Sequence, residues 1–205
     1  MTMNARYLLN SVRGFTIAEM ATVLTVTTII AGAMAPAVQD YINEARFTRA
    51  LHDTHAIATA LSRFEGDVVG QSTKDRGWAT FDMLVGAGEI PTVGAGGDPA
   101  WLAPAGSGRV GALDDQLVTN AVAYRAFPPR QTNWVRGWHG PYLEAGIGPD
   151  PWGHRYAINV RALADGTSCT VVVSAGPNGQ IETPFQGLAI VPGGDDVVAL
   201  IAPAR

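Results

Sequence analysis

Hydrophobic and polar positions along the chain fall into three regimes. Residues 15–38 form a nearly unbroken apolar run in which Glu19 is the only ionisable side chain. As a helix, that run is long enough to cross a hydrocarbon core of roughly 30 Å. After Pro36 the pattern turns amphipathic. Tyr41, Ala45, Leu51, Ala58, Leu61 and Phe64 fall on one helical stripe, which Phe47, Ala50 and Ile57 widen. Asp40, Glu44, Arg46, Arg49, Asp53 and Arg63 lie off it. Glu65-Gly66-Asp67 supplies a stop, with Gly66 as the C-terminal cap. At 1.5 Å per residue the pattern predicts roughly 75 Å of helix over 15–65. Gly32 and Pro36 are its weak points, since Pro36 removes a backbone hydrogen bond.

Residues 67–136 are rich in Gly, Ala and Pro with weak periodicity. Short helices are predicted over 78–85 and 113–124, with Phe81, Leu84, Leu117 and Val118 as buried candidates. Beyond them, Gly140-Pro141-Tyr142-Leu143 and Asp150-Pro151-Trp152-Gly153 read as turns. Strands are predicted over 156–160, 170–174, 188–191 and 197–201, separated by Ala175-Gly176-Pro177-Asn178-Gly179 and Pro192-Gly193-Gly194-Asp195-Asp196. The expected fold is α+β: a long N-terminal helix, its first half membrane-embedded, packed on a small C-terminal antiparallel sheet.

Composition narrows the function classes. The formal net charge is −4 and the basic residues are scattered, which argues against a nucleic-acid partner. Cys169 is the sole cysteine, so no intramolecular disulfide can staple the loops. Gly94-Ala95-Gly96-Gly97-Asp98-Pro99 has the glycines of a phosphate loop but not its Lys-Ser/Thr ending. His52 and His55 are three apart on the predicted helix without a convincing third ligand, and His139 and His154 are isolated. No nucleophile elbow or cofactor fingerprint is present, and the expectation is that the chain is not an enzyme.

Three readings compete for the N-terminus. The leader carries Arg6 and Arg13 and no acid, as an ordinary secretory signal would, and Ala31-Gly32-Ala33 or Ala33-Met34-Ala35 would then be the cleavage site. A plain membrane anchor is the second reading. Both leave Glu19 unexplained, because a carboxylate near the start of an apolar helix is costly in lipid and usually marks a partner.

The third reading accounts for it. Arg13-Gly14-Phe15-Thr16-Ile17-Ala18-Glu19-Met20 resembles the cleavage signal of the type IV pilin-like prepilin family, although Ala18 stands where a larger aliphatic residue is common. The resemblance implies that a membrane peptidase cuts after Gly14, that Phe15 becomes the methylated N-terminus, and that the membrane helix is retained. Glu19 would then neutralise the new amine of a neighbouring subunit, an attraction far stronger in low dielectric than in water.

The C-terminal motifs extend the match. Gly140-Pro141-Tyr142, Asp150-Pro151-Trp152-Gly153 with Tyr156, Ser174-Ala175-Gly176-Pro177-Asn178-Gly179 and Asp195-Asp196 resemble, in order and spacing, the major pseudopilin of type II secretion. With the N-terminal signal the resemblance covers about the first and last 65 residues, leaving the middle uncovered. It implies calcium in the loop between the last strands, with Asn178, Asp195 and Asp196 at the matching positions and Glu182 as an added oxygen donor; Asn178 departs from the aspartate that is frequent there. Calcium takes six to eight such oxygens. The expected organisation is a cleaved leader (1–14), a filament-core half-helix (15–38), an amphipathic half-helix (39–66), a variable insertion (67–136) and a β-meander with the calcium loop (137–205).

The implied function is a structural subunit of a periplasmic pseudopilus, held single-pass in the inner membrane before assembly. Implied partners are like subunits, the prepilin peptidase/methylase, the inner-membrane assembly platform and minor pseudopilins. The alternative is a type IV pilin or minor pseudopilin of a related pilus or DNA-uptake machine.

Overall fold

A computed structural model describes residues 14–68, 81–124, 137–161, 163 and 168–202. The chain divides into two compact units, Met1–Glu44 and Ala45–Arg205. Helix α1, Ile17–Val68, runs through Gly32 and Pro36 without interruption.

In the first unit α1 is exposed along its length, and an 18-residue window reaches a mean hydropathy of 1.8. It is the one described helix long and apolar enough to cross a membrane. Its threonines fit that composition because their hydroxyls are satisfied locally. Thr22, Thr25, Thr27 and Thr28 donate to the carbonyls of Ala18, Ala21, Val23 and Leu24 at 2.8–2.9 Å.

In the second unit the buried stripe of α1 is Ala50, Thr54, Ile57, Leu61, Phe64 and Val68, spaced four and three apart. This corrects the predicted stripe. Tyr41 and Leu51 are exposed, and Thr54 is fully buried because its hydroxyl donates to Leu51 O at 2.9 Å. Gly66 does not end the helix either. Val68 is drawn into the core, and Asp67 Oδ2 accepts the Tyr142 hydroxyl at 2.9 Å, which holds the last turn.

Among the described residues seven strands follow: β1 Met83–Val85, β2 Thr92–Val93, β3 Val110–Ala112, β4 Ala157–Ile158, β5 Thr170–Ser174, β6 Gln180–Ile181 and β7 Val197–Ala202. The main sheet has the order β3-β1-β4-β5-β7, and β2 pairs with β6 separately. The sheet is mixed rather than antiparallel, since β1 and β3 run parallel. Both come from the region read as an insertion, so that segment is part of the sheet.

Alternation along the strands sends successive residues to opposite faces. Leu84, Ile158, Val172 and Ala199 meet Ile57, Leu61 and Phe64 of α1 and Leu113 and Leu117 of α2, Leu113–Leu117. Met83, Val85, Ala157, Val171 and Val173 meet Trp101, Ile181 and Phe185 on the other side. Covering both faces buries every residue of β5, which explains its apolar Val171-Val172-Val173 run.

Several local expectations change. Residues 83–85 of the predicted helix 78–85 are strand, and 78–80 lie outside the described residues. The predicted helix 113–124 stops at Leu117, and Asn120 and Ala123 have φ of 52° and 60°, which no helix tolerates. Residues 188–191 form no strand: Leu188 and Val191 are exposed, and nearby backbone is diverted to Cys169, whose N–H donates to Gly187 O at 2.8 Å. Strand β4 is short because the Asn159 side chain replaces the ladder, donating to Cys169 O and Phe185 O and accepting from Val171 N–H at 2.7–2.8 Å.

Candidate functional sites

The start of α1 carries the first candidate site. Gly14 and Phe15 are exposed, and among the described residues nothing lies within 4 Å of where a side chain on Gly14 would begin. The leader before them lies outside the described residues. Thr16 caps the helix. Its N–H and hydroxyl both donate to Glu19 Oε2 at 2.8 Å, and its hydroxyl accepts Glu19 N–H at 3.2 Å. This is a capping box, in which a hydroxyl and a carboxylate three residues apart satisfy each other's free amide groups. Glu19 therefore has a local partner as well as an exposed position at the head of an apolar helix. Thr16 is the residue that reading Glu19 only as a partner charge misses, and the signal was the Thr-x-x-Glu spacing itself.

The acidic loop between β6 and β7 carries the second. Asp195 Oδ2 accepts Asn178 N–H at 3.2 Å, joining this loop to the turn after β5. Asp196 Oδ2 accepts Glu182 N–H, Thr183 N–H and the Thr183 hydroxyl at 2.9, 2.7 and 2.6 Å. The Glu182 side chain lies against Gly193 and Gly194, and a Cβ on either would run into Glu182; Gly194 has φ of 50° besides. So the Asn178 main chain meets Asp195 and the Glu182 main chain meets Asp196, while Asn178 Oδ1 is engaged by Gln180 N–H at 2.7 Å.

Whether these residues suit a cation turns on two atoms. Asp195 Oδ1 and Asp196 Oδ1 are buried with no hydrogen-bond partner. Burial drives the Asp196 carboxyl above its ordinary range, against its hydrogen bonds from Thr183 and Glu182, and the Glu182 charge adds to the rise. Bare buried carboxylate oxygens call for a proton or a cation. The donors are all oxygen, as calcium prefers. Among the described residues, however, no three His, Cys, Asp or Glu side chains converge as a metal cluster, so carbonyls would have to complete the set.

The remaining singled-out motifs have structural roles. Asp150 is buried and accepts Trp152 N–H, His154 N–H and the Ser174 hydroxyl at 3.0, 2.8 and 2.6 Å. Trp152 packs edge-on to Phe47, ring centroids 5.1 Å apart, and the Tyr156 hydroxyl donates to Asp53 Oδ2 at 3.0 Å. The Asp150-Pro151-Trp152-Gly153 turn thus fastens β4 to α1. The glycines of 94–97 allow close approach to β6, where Gly97 faces Ile181 O and Gly94 N–H donates to it at 3.0 Å. Asp98 caps the 3-10 turn Pro99–Leu102. His52 and His55 line a groove of about 610 Å³ with Arg63, Tyr142 and Glu144. His139 Nδ1 sits 3.4 Å from Asp67, and His154 packs on Gly179.

No protein-family model, curated protein or solved structure matches the chain.

Proposed function

We propose that the chain is a prepilin-type structural subunit, cut after Gly14, whose retained helix inserts single-pass in the inner membrane and then assembles with like copies into a periplasmic pseudopilus of a type II secretion machine. Its fold on this reading is pilin-like. One observation carries it. Directly after Gly14-Phe15, an exposed apolar helix opens on a single carboxylate, Glu19, held at its first turn by Thr16. A capping box serves equally well with a neutral glutamine at this position, so an ionised carboxylate, which is costly in lipid, asks for a cationic partner as well. Cutting at Gly14 places a cationic amine one residue before Thr16. Glu19 Oε2 holds the Thr16 groups, which leaves Oε1 for the amine of a second copy.

Side-by-side packing of α1 is open to direct test. Thr22 and Val26 are exposed on the helix. In membranes that contain a prepilin peptidase, a chain carrying both Thr22→Cys and Val26→Cys, four residues apart as Phe15 and Glu19 are, should form disulfide-linked dimers and higher oligomers on mild oxidation. A strictly monomeric product contradicts assembly through α1.

The same reading assigns calcium to the acidic loop, with Asp195 and Asp196 as charged ligands and Asn178 and Glu182 as further donors. A bound calcium ion supplies positive charge that ties the two turns together where no disulfide is possible. A ligand that binds only the folded state adds about 2.7 kcal/mol at a hundredfold excess over Kd. The full chain in detergent should therefore melt several degrees higher in millimolar calcium than in chelator. Asp195→Ala should lose most of that difference. Equal melting of the natural chain in calcium and in chelator removes calcium from the account and leaves the assembly reading standing.

A further inference from the structure

Strand β7 lies at one edge of the main sheet and β3 at the other. The two edges are finished differently. At β3, Val110 N–H donates to Ser107 O at 3.1 Å and Val110 O accepts Gly106 N–H at 3.0 Å, so the chain's own loop closes that edge. At β7 the pairing with β5 shows which groups point outward. Val171 lies opposite Leu200, and its N–H donates to Asn159 Oδ1, on the β4 side, at 2.7 Å. In an antiparallel ladder a residue's N–H and C=O point the same way, and that direction alternates along the strand. Val172 and Ser174 therefore bond across to Ala199 and Val197, while Val198 and Leu200 turn their N–H and C=O to the open side. Asp196 points outward too, and its N–H is taken by Gly193 O at 3.0 Å. Among the described residues no such partner meets the main chain of Val198 or Leu200. Leu200 is 56% exposed, and Val197–Ala202 holds neither the charge nor the proline that blunts many sheet edges.

We propose that this open edge joins two copies of the chain, β7 antiparallel to β7, about a two-fold axis at Ala199. A row of free amides and carbonyls calls for another strand. Because β3 is closed by its own loop, head-to-tail extension from β7 of one copy to β3 of the next is blocked, and β7 is left to pair with itself. With Val198 opposite Leu200 of the second copy, each chain donates twice and accepts twice, which uses every outward group of the stretch. The exposed Leu200 side chain then lies beside Val198 of the second copy, and no like charges are opposed. A two-fold contact closes on itself and does not propagate, so it is separate from packing through α1 and does not rest on the prepilin reading. The contact is small, so the dimer should dissociate on dilution.

Sedimentation equilibrium of the full chain in detergent tests this, with Glu19→Gln beside the natural chain to silence contacts made through the start of α1. Both should reach twice the monomer mass as concentration rises. Leu200→Pro removes an outward N–H and leaves the ladder to β5 intact, a placement that an edge strand accepts. It should stay monomeric over the same range. Leu200→Ala keeps the N–H and should still dimerise.

A dimer that survives Leu200→Pro, or that Leu200→Ala abolishes as completely, overturns strand pairing. A dimer that disappears with Glu19→Gln belongs to α1 and overturns it as well. So does a natural chain that is monomeric throughout, whatever strand of another protein the edge then accepts. If Leu200→Pro does not fold, hydrogen exchange in Glu19→Gln decides. The Val198 and Leu200 amides should exchange about tenfold slower where the dimer dominates than after dilution to monomer, as for bonds closed roughly nine-tenths of the time. Exchange at those two amides that ignores concentration contradicts the proposal.

Discussion

Glu19→Gln should leave the chain embedded in the membrane and abolish its assembly with like copies. This substitution separates the capping contact seen at the helix start from the pairing proposed for the residue. A glutamine amide oxygen can still accept from Thr16 N–H and hydroxyl, so the capping box survives. What is lost is the charge. An amine facing a neutral amide in low dielectric keeps most of its desolvation cost and loses its main compensation, a penalty of about 3–5 kcal/mol when a buried pair is broken. Summed over every contact of a filament, that is enough to leave subunits unassembled. Glu19→Ala removes cap and charge together and should fail as completely. Insertion should improve slightly in both, since a carboxylate is expensive in lipid. The readout is membrane fractionation followed by cross-linking and electron microscopy. If Glu19→Gln assembles normally while Glu19→Ala does not, the residue acts as a helix cap and the amine-carboxylate pairing is wrong.

The second large effect lies in the core. Phe64 is almost fully buried and meets Tyr124 and Tyr142 edge-on, with centroids 5.2 and 5.6 Å apart. It belongs to the cluster that joins α1 to the sheet through Leu84, Ile158 and Val172. Phe64→Ala should cost about 3–5 kcal/mol, from lost burial together with the cavity left behind. Two aromatic pairs are lost as well, each contributing about 0.5–1.5 kcal/mol beyond area. Stabilities of folded domains run to about 5–15 kcal/mol, so the variant should sit near the edge of folding. Chemical denaturation followed by tryptophan fluorescence measures it, since Trp101 and Trp138 report on the same unit. Phe47→Ala offers a contrast. It removes one contact with Trp152 from a partly exposed ring and should cost clearly less. Equal losses from the two would mean that the cluster around Phe64 is not what fastens the helix.

What the residues disclose in advance follows from how local each interaction is. The apolar run after Phe15 is legible because a helix long and apolar enough to cross a membrane shows in composition over many consecutive positions. Strand β5 is legible for a similar reason, a run of β-branched residues buried on both sides. The stripe on α1 is harder. Thr54 belongs to it only because its hydroxyl finds Leu51 O, a pairing no hydropathy pattern contains. Strands β1 and β3 are each three residues long and pair in parallel across 27 positions, Met83 with Val110, so neither period nor turn signals betray them. Residues 188–191 look like a strand by composition, yet Gly187 and Leu188 offer their carbonyls to Cys169 and no ladder forms.

The candidate sites divide in the same way. The Thr16–Glu19 spacing was open to inspection, since a capping box is local. Asp195 and Asp196 were identifiable as an acidic pair. Their hydrogen bonds from the Asn178 and Glu182 main chains depend on how β5, β6 and β7 are arranged. Thr183 had no signal at all. It is one threonine among many, and its importance comes from Trp101, which reaches its carbonyl from 82 residues earlier in the chain.

The most direct test of the central claim is the N-terminal residue of the mature protein, isolated from membranes of cells that contain a prepilin peptidase. Intact mass and terminal sequencing should show a chain that has lost residues 1–14 and begins at Phe15, with the apolar helix retained. A mature chain beginning near Met34, or one that still carries its leader, contradicts the account.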